Sequence, residues 1–117
     1  MKMKKILIVD DERYLPLALS YGFRRMGHIV DTVETAEQAA SLLSNGYDMV
    51  ITDQNLSTDG KNGIWLLEQT RLLLPEAYRL LMTGYNDDFD CDEYLIYLLC
   101  RKPNIPIKKI CDMLEDN

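Results

Sequence analysis

An α/β domain, a doubly wound parallel sheet with helices on both faces, is the fold class the sequence predicts. Two observations carry that expectation. Short apolar runs rich in β-branched residues alternate with segments of helical period. Four of those runs also end in polar or ionisable residues, the edge at which parallel sheets place their ligands. The 117 residues suit one domain, taken as residues 1–117, and a 47% hydrophobic content is enough for one ordinary core without metal or disulfide staples.

The elements follow in order. Lys5-Ile6-Leu7-Ile8-Val9 reads as a strand covered on both faces, because it is continuously apolar and stops abruptly at acids. Leu15, Leu19 and Phe23 recur every four residues and predict a helix that Gly27 stops. Ile29–Val33 is a second strand. Thr35-Ala36-Glu37-Gln38 is a capping box that starts a helix with Ala36, Ala39, Ala40 and Leu43 inward, and Asn45-Gly46 ends it. Met49–Thr52 is a third strand leading into Asp53, and a polar loop runs from Asn55 to Asn62. Ile64, Leu67 and Leu74 mark the next helix, with Pro75 beyond it, and Arg79–Met82 is a fourth strand ending at Thr83-Gly84. The apolar run Tyr94–Cys100 suits either a buried fifth strand or a helix with Cys91, Tyr94, Leu95 and Leu98 on one face; the strand is the preferred reading, and it leaves only a stub for a preceding helix. Ile107, Ile110, Cys111 and Leu114 mark a terminal helix.

Composition excludes several function classes. Thirteen basic and 19 acidic residues give a formal net charge of −6, which argues against direct nucleic-acid binding, since that needs a basic stripe to replace phosphate counterions. No apolar run is long enough to cross a bilayer and no signal-peptide pattern precedes the first strand, so the expected location is cytoplasmic, with no membrane partner. Cys91, Cys100 and Cys111 have no paired spacing and read as reduced thiols. His28 is the single histidine, which rules against a Cys/His zinc site and favours a structural role. Asp88-Phe89-Asp90-Cys91-Asp92 alternates acids as a calcium loop does, but lacks the turn glycine and the closing Glu, and reads as solvated surface. Tyr78, Tyr85, Tyr94 and Tyr97 are expected to be packing residues.

The strand ends carry the chemistry. Asp10-Asp11-Glu12, Asp53, Thr83-Gly84 and Arg101-Lys102-Pro103 would meet at one edge, where carboxylates a few ångströms apart repel by about 4 kcal/mol per pair at an effective dielectric of 20. An oxygen-seeking cation relieves that repulsion, and Mg2+ fits because it takes one or two carboxylates and keeps positions for a phosphate. Asp53 would then serve as a nucleophile toward phosphorus, with Lys102 and Thr83 facing the oxygens of the transferred group.

The pattern Ile8-Val9-Asp10-Asp11-Glu12, Asp53, Thr83-Gly84-Tyr85 and Lys102-Pro103 resembles the receiver domain of two-component response regulators over essentially the whole chain. The resemblance implies a flavodoxin-like (CheY-like) five-stranded fold, Asp53 as phosphoacceptor, and Asp10 and Asp11 as metal-site acids. It further implies that Asn55 offers its backbone carbonyl to Mg2+, that Thr83 is the switch hydroxyl and that Lys102 binds phosphate. A sensor histidine kinase or phosphotransfer protein would be the donor, and self-association as a homodimer is compatible with it. Three features depart from the family pattern. Ser57 stands where a proline is usual and the loop after Asp53 is longer; Leu99 stands where a Tyr or Phe is usual; the fourth-helix region is shortened. The loop departure bears on the lifetime of a phosphoryl group, whereas Leu99 and the shortened fourth-helix region motivate the alternative of a receiver-like module that docks partners without a phosphorylation-driven switch. A Mg2+-dependent phosphohydrolase is disfavoured, since Asn55 stands where its general acid would be. The chain would be either a single-domain regulator or the receiver of a longer protein.

Overall fold

The computed structural model describes residues 3–56, 60–84 and 89–115. The elements run β1 (Lys5–Val9), α1 (Tyr14–Arg25), β2 (Ile29–Val33), α2 (Ala36–Leu42), β3 (Met49–Asp53), α3 (Gly63–Leu73), β4 (Tyr78–Thr83), β5 (Leu98–Arg101) and α4 (Ile107–Glu115), with a 3-10 turn at Leu43–Asn45. All strand pairs are parallel, in the order β2-β1-β3-β4-β5. That is the flavodoxin-like order, in which the chain reverses direction across the sheet at β1 and β3 and opens a crevice beyond their carboxyl ends.

The period-2 alternation of the central strands divides the interior into two cores. Ile6, Ile8, Met49, Ile51, Leu80 and Met82 pack against α1 and α4 through Leu19, Phe23, Ile110, Cys111 and Leu114. Leu7, Val9, Val50 and Leu81 pack against α2 and α3 through Ala36, Ala39, Leu66 and Leu67. Continuous apolar runs at β1 and β3 are therefore required, because both sides of each strand are covered. The capping box at Thr35 and Gln38 forms as the sequence predicts, with Thr35 Oγ1 accepting from the Gln38 N–H and Gln38 Oε1 accepting from the Thr35 N–H. Gly27 and Gly46 follow the first two helical segments at φ 93 and 82, where side chains are strained.

The run from Tyr94 to Cys100 differs from the expected buried strand. Only Leu98–Arg101 joins the sheet, and as the edge strand it buries Cys100 while Leu99 is exposed. Arg79 supplies the physical reason: its guanidinium donates to the carbonyls of Leu95 (2.7 Å) and Tyr94 (3.2 Å), so these groups are committed to a turn and cannot extend the ladder. Leu95 instead enters the core on the α2–α3 face, together with Phe89, Cys91 and Ile96, and no helix lies between β4 and β5 among the described residues. Of the shortened fourth-helix region, residues 86–88 lie outside the described residues, and residues 89–97 form a packed irregular segment. Tyr94 and Tyr97 are exposed rather than packed, although Tyr97 meets the Tyr78 ring edge-on at 4.6 Å. Tyr85, the opening Asp88 of the acidic alternation and Ser57 lie outside the described residues. Cys100 and Cys111 are buried thiols. His28 is also buried and structural: its Nδ1 accepts from the Lys4 N–H at 3.1 Å, and burial pushes its pKa down.

Gly63 starts α3 against the end of β3. A Cβ there would collide with the Asp53 carbonyl oxygen and sit 2.9 Å from both Gln54 Cα and Leu81 Cδ1. Two of these three are backbone atoms that cannot rotate away, so the helix start must remain bare. Gly63→Ala is expected to cost roughly 1–3 kcal/mol of stability through overpacking, read by urea denaturation; an unchanged midpoint would show that the helix start relaxes freely.

Candidate functional site

The carboxyl ends of β1, β3 and β4 and the turn after β5 converge on one small polar crevice. Asp10 follows β1 and is fixed twice: its N–H donates to the Val33 carbonyl (3.1 Å), and its Oδ1 accepts from the Glu12 N–H (2.9 Å). Asp53 closes β3, paired in register with Met82. The next residue, Gln54, is buried and holds the loop in place. Its N–H donates to the Met82 carbonyl (3.0 Å), its carbonyl accepts from the Gly63 N–H (3.1 Å), and its Oε1 accepts from the Ile64 N–H (3.0 Å). Asp53 is thereby pinned between β4 and the start of α3.

Lys102 reaches this crevice from the turn after β5. Its Nζ lies 2.9 Å from Asp10 Oδ2, 3.4 Å from Asp53 Oδ2 and 3.4 Å from Glu12 Oε2. Its backbone N–H donates to the Thr83 carbonyl at 2.9 Å, and the Lys102–Pro103 peptide is cis. Thr83 is buried, and its hydroxyl has no hydrogen-bond partner among the described residues. A buried hydroxyl without a partner is costly, and here it lies on the strand that neighbours Asp53.

Oxygen atoms of Asp10, Asp11 and Asp53 lie within 4.8 Å of one another, two of the residues being buried and Asp11 exposed. An all-carboxylate set open to solvent on one side suits a hard divalent cation that retains some of its water. Asn55 follows on the rim, and its backbone N–H donates to the Asp53 carboxylate. Beside these groups an open cleft of about 410 Å3 is bordered by Asp10, Asp11, Glu12, Thr32 and Glu34.

The electrostatics follow from burial. Desolvation pushes Asp53 up from 3.8 to about 6; Lys102 opposes this, the negative charge of Asp10 adds to it, and the Asn55 N–H opposes it again. Burial works against the charge of Lys102, but the three carboxylates around it outweigh that and raise its pKa. The crevice therefore keeps its ammonium charged while leaving Asp53 short of positive charge.

All six residues singled out from the sequence, Asp10, Asp11, Asp53, Asn55, Thr83 and Lys102, lie at this edge. Sequence reasoning did not foresee Glu12 as a partner of the lysine or Gln54 as the clamp on the loop. The signal for Gln54 was its position immediately after the strand-ending acid; for Glu12 there was none beyond the run of three acids.

Comparison with known proteins points the same way. The family model described as response regulator receiver domain matches residues 6–97. The chain is 38% identical over 82 residues to response regulator protein FleR of Pseudomonas aeruginosa, covering 69% of this chain and 17% of that protein. It is 33% identical over 89 residues to the alkaline phosphatase synthesis transcriptional regulatory protein PhoP of Bacillus subtilis, covering 74% of this chain and 36% of that protein. The chain thus spans only a minor part of the length of these curated relatives. Among solved structures it is similar to response regulator protein TrrA of Thermotoga maritima in complex with Mg2+ and BeF, with a TM-score of 0.79, 26% identity, and 97% of this chain and 98% of that chain covered.

The raised Asp53 pKa fixes the sign of a pH dependence. Between about 4 and 6 the folded protein holds a proton that the unfolded chain has released, so this group's contribution to stability is lost as pH rises through that window. Asp53→Asn removes the effect: its stability relative to wild type, without divalent ions, should rise with pH by up to about 3 kcal/mol and level off above pH 6. Urea titrations at several pH values check this, and a pH-independent difference would show that Asp53 ionises normally. Affinity for Mg2+, measured by calorimetry, should fall below pH 6, by at most about tenfold per pH unit as one proton competes.

Proposed function

The chain belongs to the response regulator receiver domain family, and on that premise we propose that Asp53 is its phosphoacceptor. The observation that carries this reading is the placement of Lys102 Nζ 3.4 Å from Asp53, at the same edge as the Asp10–Asp11–Asp53 cluster and the Thr83 hydroxyl, which has no partner among the described residues. Each group has a task in moving a phosphoryl group. An Asp53 carboxylate oxygen forms the new bond to phosphorus as the phosphorus–nitrogen bond of a phosphohistidine breaks, and the electron pair of that bond stays on the imidazole nitrogen. Lys102 faces the negative charge of the transferred oxygens, and Thr83 donates the hydrogen bond its hydroxyl otherwise lacks. Asp10, Asp11, Asp53 and the backbone carbonyl of Asn55 would hold Mg2+, consistent with the Mg2+ and BeF complex of the Thermotoga maritima relative. Bound there, Mg2+ supplies positive charge to the phosphoryl oxygens.

Receiver domains of response regulators take their phosphoryl group from histidine kinases or phosphotransfer proteins, so a sensor histidine kinase or phosphotransfer protein is the donor class for this chain. Receiver domains are generally cytoplasmic, and that is the location proposed for this chain; no helix among the described residues is long and apolar enough to cross a membrane. The role is that of a switch: phosphorylation changes affinity for a partner because the two states present different surfaces.

Beryllofluoride, which mimics a phosphoryl group on a carboxylate, should bind only when Mg2+ is present, and Asp53→Asn should abolish that binding. Fluorescence of Trp65, in the first turn of α3, or fluorine NMR would follow it; equal binding by the Asn variant would remove Asp53 from the role. Mg2+ alone should raise the melting temperature at neutral pH, by the equivalent of about 1.4 kcal/mol at tenfold excess over its dissociation constant. No shift at millimolar Mg2+ would mean that the carboxylates do not form a cation site.

A further inference from the structure

We infer that Glu12 is a positioning residue that competes with the phosphoryl group for Lys102, so that its carboxylate sets how firmly the site holds a phosphoryl-like anion. The inference rests on the reading of Asp53 as phosphoacceptor and adds a regulator of that site. Three carboxylates meet the Lys102 ammonium: Asp10 at 2.9 Å, and Asp53 and Glu12 each at 3.4 Å. Only two of them belong to the group that can share a cation, which consists of Asp10, Asp11 and Asp53. A cation bound by Asp10 and Asp53 would therefore neutralise two of the lysine's partners and leave Glu12 with its charge unspent.

Geometry holds Glu12 in position for this. Its backbone N–H donates to Asp10 Oδ1 at 2.9 Å, so the residue is anchored to the acid that the lysine also touches. The Glu12 side chain is 57% exposed whereas that of Lys102 is 13% exposed, so the carboxylate pulls the ammonium toward the mouth of the crevice. To reach an oxygen of a phosphoryl group on Asp53, the ammonium must loosen its contact with Glu12. The contact is solvent-exposed at one end, so its loss is modest, and removing Glu12 should tighten anion binding by about two- to fivefold. The same negative charge favours a cation nearby, so its removal should weaken Mg2+ binding. The two affinities then shift in opposite directions, which a general defect of folding does not produce.

Beryllofluoride titrations at saturating Mg2+, and Mg2+ titrations alone, test this on the wild type, Glu12→Gln, Glu12→Asp and Glu34→Gln. Glu34 borders the same cleft and makes no ion pair with Lys102, so it reports on charge without contact. The expected result is tighter beryllofluoride binding in both Glu12 variants and weaker Mg2+ binding in Glu12→Gln. Glu12→Asp keeps the charge but loses the reach, so its Mg2+ affinity should remain near wild type; Glu34→Gln should leave beryllofluoride binding unchanged. Unchanged or weaker beryllofluoride binding in Glu12→Gln overturns the inference. An equal gain in Glu34→Gln, or none in Glu12→Asp, does so too, since charge alone would then explain the effect. Wild-type protein that takes up no beryllofluoride overturns the Asp53 reading first and this inference with it, whereas normal wild-type uptake with unaltered Glu12 variants overturns this inference alone.

Discussion

One ammonium group, on Lys102, is surrounded by three carboxylates at the carboxyl edge of the sheet, and the arrangement of the crevice depends on it. Asp10 and Asp53 are both buried, and two buried like charges raise each other's energy. The lysine offsets part of that repulsion, yet the excess of negative charge persists. This is what suits the crevice to a cation. Ion pairs of this kind contribute little net stability after desolvation, so their value lies in function rather than in holding the fold together.

The fold exists, in this sense, to bring three distant strand ends together and keep them still. Parallel pairing with β1 and β4 at either side of β3 puts Asp10, Asp53 and Thr83 at one edge. The hydrogen bonds of Gln54 and the bare start of α3 at Gly63 then hold the end of β3 from the other side. The two apolar cores on opposite faces of the sheet anchor the strands behind it. Rigidity at the strand ends is thus derived from packing far from the chemistry.

Much of this was legible in the sequence. The runs at Lys5–Val9 and Met49–Thr52 state their double-sided burial by being continuously apolar, and the capping box at Thr35 states where α2 begins. The acids after β1 and β3, with Lys102 after β5, declare a shared edge because parallel topology leaves no other common place for them. What was not legible depends on tertiary reach. Arg79 ties up the carbonyls of Tyr94 and Leu95 from across the β4–β5 connection, and no local pattern shows that the apolar run must break there. Exposure of Tyr94 and Tyr97 follows from the same break. The contact of Glu12 with Lys102 depends on the length of two flexible side chains meeting over a turn, which spacing along the chain does not encode.

The hydrogen bond from the Lys102 N–H to the Thr83 carbonyl has a mechanical consequence. It fastens the main chain of the cationic residue to the main chain of the hydroxyl-bearing one, and the β4–β5 ladder continues directly into it. A pull on either side chain is therefore felt as shear along a hydrogen-bonded pair of strands rather than as an isolated rotamer change. Because β5 is an outermost strand whose Leu99 and Arg101 face solvent, the far end of that lever is already at the surface.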